Sequence, residues 1–208
     1  MSLSWEETVR WYRGQPNNQA AILDNYFDLP ARQAMERFAL SEEFTEVYHL
    51  LGTGNGRTVL DFGAGNGIAS YALAKSGWKV TALEPDLSDE VGAGAIKQLL
   101  DEEDLPITIC QNPSLPLPFE DGSFAAIHAR QVLHHVPDLE ATVKELARIS
   151  KQKGKVVVTR EHVVDDSAQL ADFLQAHPLH GLYGGETAYP LTTYLDAFRQ
   201  AEIGRAHV

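Results

Sequence analysis

The chain has 208 residues, 44% of them hydrophobic and 22% charged, enough to bury a core in one domain with a small extension and too apolar for wholesale disorder. Its 29 acidic against 17 basic residues give a formal net charge of −12, which argues against binding nucleic acid or an acidic membrane through phosphate neutralisation. A single cysteine, Cys110, permits no internal disulfide, and no apolar run approaches the roughly 20 residues of a membrane helix, so a soluble, cytoplasmic protein is expected.

Residues 1–51 read as a helical cap. Trp5, Val9 and Tyr12 stand at helical spacing, Pro16-Asn17-Asn18 breaks the pattern, and Met35, Phe38, Phe44, Val47 and Leu51 supply apolar stripes further on. The opening thirty residues lack the apolar centre of a secretion signal. A glycine-rich turn over 52–56 then leads into a buried-type strand at 57–62, and from there strands and helices alternate. Strands are expected at 78–84, 107–110, 124–129 and 155–159, with helices at 68–76, 93–101, 139–150 and 189–201. That alternation predicts an α/β domain with a doubly wound, mostly parallel sheet, covered on both faces. The domain is expected over 52–202.

Residues 59–67 read VLDFGAGNG, a strand, then glycines at 63, 65 and 67, then a helix beginning near Ile68. Such a turn lets backbone approach a ligand with no Cβ in the way and aims a helix N-terminus at it. A dinucleotide fingerprint wants its third glycine where Ile68 stands, and no lysine follows Gly67 as a P-loop requires. Glu84, at the end of the second strand, can accept two hydrogen bonds from vicinal ribose hydroxyls. Two further pieces follow, LPFEDGSF over 117–124 and LHHVPD over 133–138.

In order and spacing these pieces resemble the class I S-adenosylmethionine-dependent methyltransferases, small-molecule branch, over about residues 59–160. The resemblance implies a Rossmann-like fold, S-adenosylmethionine as cofactor and a small-molecule methyl acceptor. It implies that Gly63, Gly65 and Gly67 wrap the methionine and ribose, that Asp61 helps hold the amino end, and that Glu84, with Pro85, holds the ribose. Asn112, Pro113 and Ser114 stand where the family meets adenine, in place of its usual aspartate, and Arg130 is a further cofactor-side candidate. The sequence also departs from the family in having Ala125 after the phenylalanine that opens the fourth strand, and in lacking the C-terminal antiparallel hairpin beyond the last helix. Ile203 to Val208 are what a common sequencing adapter would encode, so 203–208 is expected to be a non-native tail that truncates the domain.

Methyl transfer from a sulfonium is an in-line displacement that gains most from positioning, and a base is needed only when the acceptor arrives protonated. Candidates at the strand ends are His134, His135, Glu161 and His162, with one of the adjacent pair His134 and His135 expected to face the site. Glu161, His162, His177, His180 and Glu186 suggest polar substrate lining, and no metal is expected because no tight His-x-x-x-His spacing is present. Two other functions fit the same pattern: a cofactor-binding regulator that has lost catalysis, and a nicotinamide-dependent oxidoreductase, the latter opposed by Ile68.

Overall fold

The structure is a computed structural model and describes residues 3–203. The tail expectation therefore lies outside the described residues except at Ile203, which packs against the core beside Phe198. Four helices come first: α1 (Trp5–Arg13), α2 (Gln19–Asp24), α3 (Ala31–Ala39) and α4 (Glu42–Leu51). Ser4 and Glu7 close a capping box on α1, and Ser41 caps α4 by accepting the Phe44 N–H, so both starts are written in local sequence.

The alternating part follows the expected order: β1 (Thr58–Phe62), α5 (Ile68–Lys75), β2 (Lys79–Leu83), α6 (Ala93–Glu102), β3 (Ile107–Cys110), β4 (Phe124–Arg130), α7 (Leu139–Ile149) and β5 (Ser150–Thr159). The five strands form one parallel sheet in the order β3-β2-β1-β4-β5. Sequence order reverses between β1 and β4, and in such sheets a ligand crevice opens outside the carboxyl ends of the strands at that point.

Strand residues alternate between two cores. Val59, Val80, Ala82, Ala126 and Val157 face α3, α4, α5 and α6, whereas Leu60, Leu83, Ile127, Ala129 and Val158 face α7 and the last helix. Helices α3 and α4 thus share a core with the sheet through Met35, Phe38, Phe44, Val47 and Leu51.

Beyond β5 the chain makes β6 (Val163–Val164), α8 (Leu170–Ala176), α9 (His180–Tyr183), β7 (Tyr189–Pro190) and α10 (Leu191–Gln200). Strands β6 and β7 pair in parallel, Val163 with Tyr189, which draws the 184–188 loop back over the end of the main sheet. Tyr194 and Phe198 of α10 are buried beside α7. No strand pairs with the outer side of β5 among the described residues. No described helix is long and apolar enough to cross a membrane.

Candidate active site

A cavity of about 770 Å³ opens at the carboxyl ends of β1, β2, β4 and β5, a size within the range of small-molecule sites. Its floor is the turn after β1. Gly63 and Ala64 donate backbone N–H bonds to the Leu83 carbonyl at 3.0 and 3.1 Å, which fastens this turn to β2. Gly63, Gly65 and Gly67 all have positive φ, at 71°, 53° and 87°.

The three glycines serve different ends. A Cβ on Gly63 would sit 2.3 Å from Val132 Cγ2, and one on Gly67 would sit 2.8 Å from Ile96 Cγ1, so both are held to glycine by packing. Gly63 lines the cavity and Gly67 does not. A Cβ on Gly65 would meet nothing nearer than the Val91 carbonyl at 3.8 Å, because it would project into the cavity. Gly65→Val is therefore expected to keep the fold at a backbone cost of about 1–2 kcal/mol while filling the cradle. It should weaken binding of S-adenosylhomocysteine by at least about tenfold in calorimetry. Unchanged affinity would show that no ligand lies against this turn.

Glu84, at the tip of β2, is 8% exposed; its carboxylate accepts the Gly65 N–H at 2.7 Å and the Asp86 N–H at 2.8 Å. Burial pushes its pKa up to about 7 against the pull of those two N–H groups, with Asp86 and Asp61 adding like-charge repulsion. Asp61 is buried at the end of β1, where it accepts the Ser70 hydroxyl at 2.6 Å and lies 3.4 Å from His128 Nδ1. Pro85, Asp86 and Val91 continue the wall beyond Glu84. Asn112, Pro113 and Ser114 are exposed and lie off the wall of this cavity, with Asn112 Oδ1 accepting the Ser114 N–H at 3.0 Å in a local turn.

Arg130 lines the cavity but is held from behind. Glu43 of α4 takes its guanidinium through two bonds, at 2.7 and 3.2 Å, and Gln131 Oε1 takes a third at 2.6 Å. Arg160 is likewise paired with Asp24. The wall is thus left with Asp61, Glu84, Asp86 and Glu186 while its two arginines are matched by carboxylates of the helical cap, a balance that favours a cationic ligand.

The opposite end of the cavity is lined by imidazoles. His134 and His135 sit in a three-residue 3₁₀ turn (133–135) after β4, and both reach the wall, correcting the expectation that one would. The turn is pinned by Glu161, which follows β5 and lies off the wall. One Glu161 oxygen accepts the Val132 and Leu133 N–H groups, each at 3.0 Å; the other accepts the His134 N–H at 3.0 Å and faces His134 Nδ1 at 2.6 Å. Burial raises the Glu161 pKa, but the bonds from His134 and the two backbone N–H groups outweigh it and hold the carboxyl below its usual range.

His162 stacks on His134 at 4.0 Å between ring centroids, and burial holds both His162 and His135 neutral, with pKa values lowered to about 4. Glu186, carried in by the β6 and β7 pairing, faces these rings. It is among the polar lining residues expected from sequence, and that pairing brings it to the site. Helix α1 forms the roof: Trp5 packs on Tyr183 of α9 at 5.3 Å and on Phe27 at 5.8 Å, while Arg10 and Arg13 bind Glu90 in the loop after β2. Of the cap aromatics, Trp5, Tyr12 and Phe27 line the cavity; Trp11 is exposed and Tyr26 packs on Phe38.

Residues 60–158 match the family model described as a methyltransferase domain. The chain is 32% identical over 104 residues to phosphoethanolamine N-methyltransferase 2 of Caenorhabditis elegans, covering 50% of this chain and 24% of that protein. It is 34% identical over 103 residues to demethylmenaquinone methyltransferase of Corynebacterium urealyticum, covering 50% and 41%. This chain thus spans less than half the length of the curated relatives it matches. Its fold is that of the Haemonchus contortus phosphoethanolamine N-methyltransferase 2 solved with phosphomonomethylethanolamine and S-adenosylhomocysteine. The TM-score is 0.63 at 22% identity, over 77% of this chain and 36% of that one.

Proposed function

We propose that the protein, whose residues 60–158 match a methyltransferase domain, transfers a methyl group from S-adenosylmethionine to a small-molecule acceptor. One observation carries the reading: the Glu84 carboxylate at the tip of β2 is locked to the Gly65 N–H of the bare turn after β1, at the switch point of the sheet. Glu84 would hold the ribose, Gly63 and Gly65 with Asp61 beneath would hold the methionine moiety, and Pro85 and Val91 would border the adenine. The acidic wall suits a sulfonium cofactor that also carries an ammonium group.

His134, His135 and His162 would line the end of the cavity where a bound cofactor offers its methyl group. There the roof formed by Trp5, Tyr12 and Phe27 shields the acceptor from water, and positioning supplies most of the rate. His135 Nδ1 is turned to the Gly185 carbonyl at 3.2 Å, so its proton sits there and its Nε2 lone pair is available to an acceptor that arrives protonated. The acceptor is small enough to share one cavity with the cofactor. A cytoplasmic setting suits a chain with one cysteine.

A nicotinamide cofactor carries an anionic pyrophosphate that this acidic wall opposes, and a role as a non-catalytic regulator gives no use to the roofed imidazole end. Calorimetry with S-adenosylhomocysteine and with NADH, followed by radiolabelled methyl transfer to a panel of small amines, phenols and carbon acids, tests the reading. Binding of S-adenosylhomocysteine with NADH excluded, plus transfer to at least one acceptor, is expected. NADH binding without S-adenosylhomocysteine binding would overturn it.

A further inference from the structure

The imidazole end contains an arrangement that neither cofactor binding nor methyl transfer calls for. His134 Nε2 and His162 Nδ1 lie 3.8 and 3.6 Å from one oxygen, Glu186 Oε2, and the three residues' ligand atoms all lie within 4.8 Å of one another. Those separations are too long for hydrogen bonds. They are close to the spacing of about 3.4 Å between ligands that share a four-coordinate ion at bonds of 2.0–2.2 Å.

The His134 proton is on the wrong side to relieve this contact. Glu161 can only accept, so the His134 proton sits on Nδ1 and its Nε2 turns a lone pair toward Glu186. Glu186 Oε2 and His162 Nδ1 are both buried without a hydrogen-bond partner among the described residues, and the Glu186 side chain is only 3% exposed. A buried carboxylate oxygen that faces the His134 lone pair and makes no hydrogen bond is costly unless a cation lies there.

We propose that His134 Nε2, His162 Nδ1 and Glu186 Oε2 form a binding site for one divalent transition-metal ion of the zinc class, with its remaining position turned into the cavity. Two imidazoles and one carboxylate are a donor set suited to such an ion. Glu161 completes it from behind, since a carboxylate on the far nitrogen of a ligating histidine fixes the ring and raises its basicity. His135, further out with 37% of its side chain exposed, borders the position that faces the cavity. The set is invisible to a search for close histidine spacing because its members come from the turn after β4, the segment after β5 and the loop before β7.

Calorimetric titration of the untagged, chelator-treated full chain with Zn2+ tests the site directly. One saturable site per chain is expected, with Co2+ giving the visible absorption of a four-coordinate ion. Glu186→Gln, which keeps shape, and His162→Ala should each weaken Zn2+ at least about tenfold and remove the Co2+ band. Histidine-ring NMR of the parent chain with Zn2+ gives the answer without a variant, since the His134 and His162 signals should move. No saturable Zn2+ binding below about 1 mM, variants that bind as the parent does, or ring shifts confined to other histidines would each overturn the proposal. The site needs no cofactor, so S-adenosylhomocysteine calorimetry on the metal-free chain reports on the methyltransferase reading separately.

Discussion

Glu161→Ala is expected to lower the unfolding free energy by about 3–5 kcal/mol, because it orphans buried donors that share one carboxylate. Three successive backbone N–H groups, at Val132, Leu133 and His134, and the His134 ring all turn to this side chain, which is itself fully buried. Alanine leaves those donors without water or partner, whereas glutamine retains one accepting oxygen and should lose less. Urea denaturation of parent and both variants at neutral pH measures the difference, and a loss under about 1 kcal/mol for alanine would mean the turn is held by something else.

The pH dependence has a definite sign. The folded Glu161 pKa is depressed, so its stabilising contribution is present above its unfolded value of about 4.5 and is lost as pH falls through the folded pKa. The groups packed on this carboxylate are His134 and, through its ring, His162. The gap between parent and alanine variant should therefore narrow in acid.

Glu84→Ala is expected to weaken S-adenosylhomocysteine binding by about 10- to 100-fold, the equivalent of roughly 1.5–3 kcal/mol for charge-assisted hydrogen bonds to the sugar. Part of that loss comes from the turn itself, since the same carboxylate holds the Gly65 N–H. The pKa near 7 gives the prediction a second arm. If the carboxylate form binds the ribose, affinity should rise about tenfold between pH 6 and pH 8, and Glu84→Gln should flatten that profile. For the ligand-free chain the sign is opposite to that at Glu161. The folded pKa is raised above 4.5, so the Glu84 contribution to stability is complete below about 4.5 and is lost as pH rises through 7, by about 3 kcal/mol in the limit. Glu84→Gln should accordingly melt higher than the parent at pH 8 without ligand. An affinity that ignores both pH and substitution would remove Glu84 from the site.

The alternation of β-branched runs with helical stripes was enough to place all five sheet strands, because a parallel sheet buried on both faces leaves short, continuous apolar segments between glycine-rich turns. Gly63, Gly65 and Glu84 could be placed on the cavity wall for a related reason: a glycine-rich turn after a buried strand and a carboxylate at the tip of the next strand both fall at the carboxyl ends of the sheet. Local spacing could not tell Gly65, whose missing Cβ leaves room in the cavity, from Gly67, whose missing Cβ leaves room for Ile96. Nor could it place Asn112, Pro113 and Ser114, which follow β3 outward to solvent.

His134 and His135 are adjacent, and adjacency on a regular strand or helix sends side chains apart. Both reach the cavity because the chain there is a 3₁₀ turn hung from Glu161, 27 positions beyond His134. The two-residue pairing of β6 with β7 then brings Glu186 to His162 across 24 residues. Composition, period and turn chemistry act between near neighbours, so the sequence alone determined the sheet, its direction and the floor of the cavity. The imidazole wall with its buried carboxylates depends on which distant segments pack against one another, and only the folded chain makes that choice.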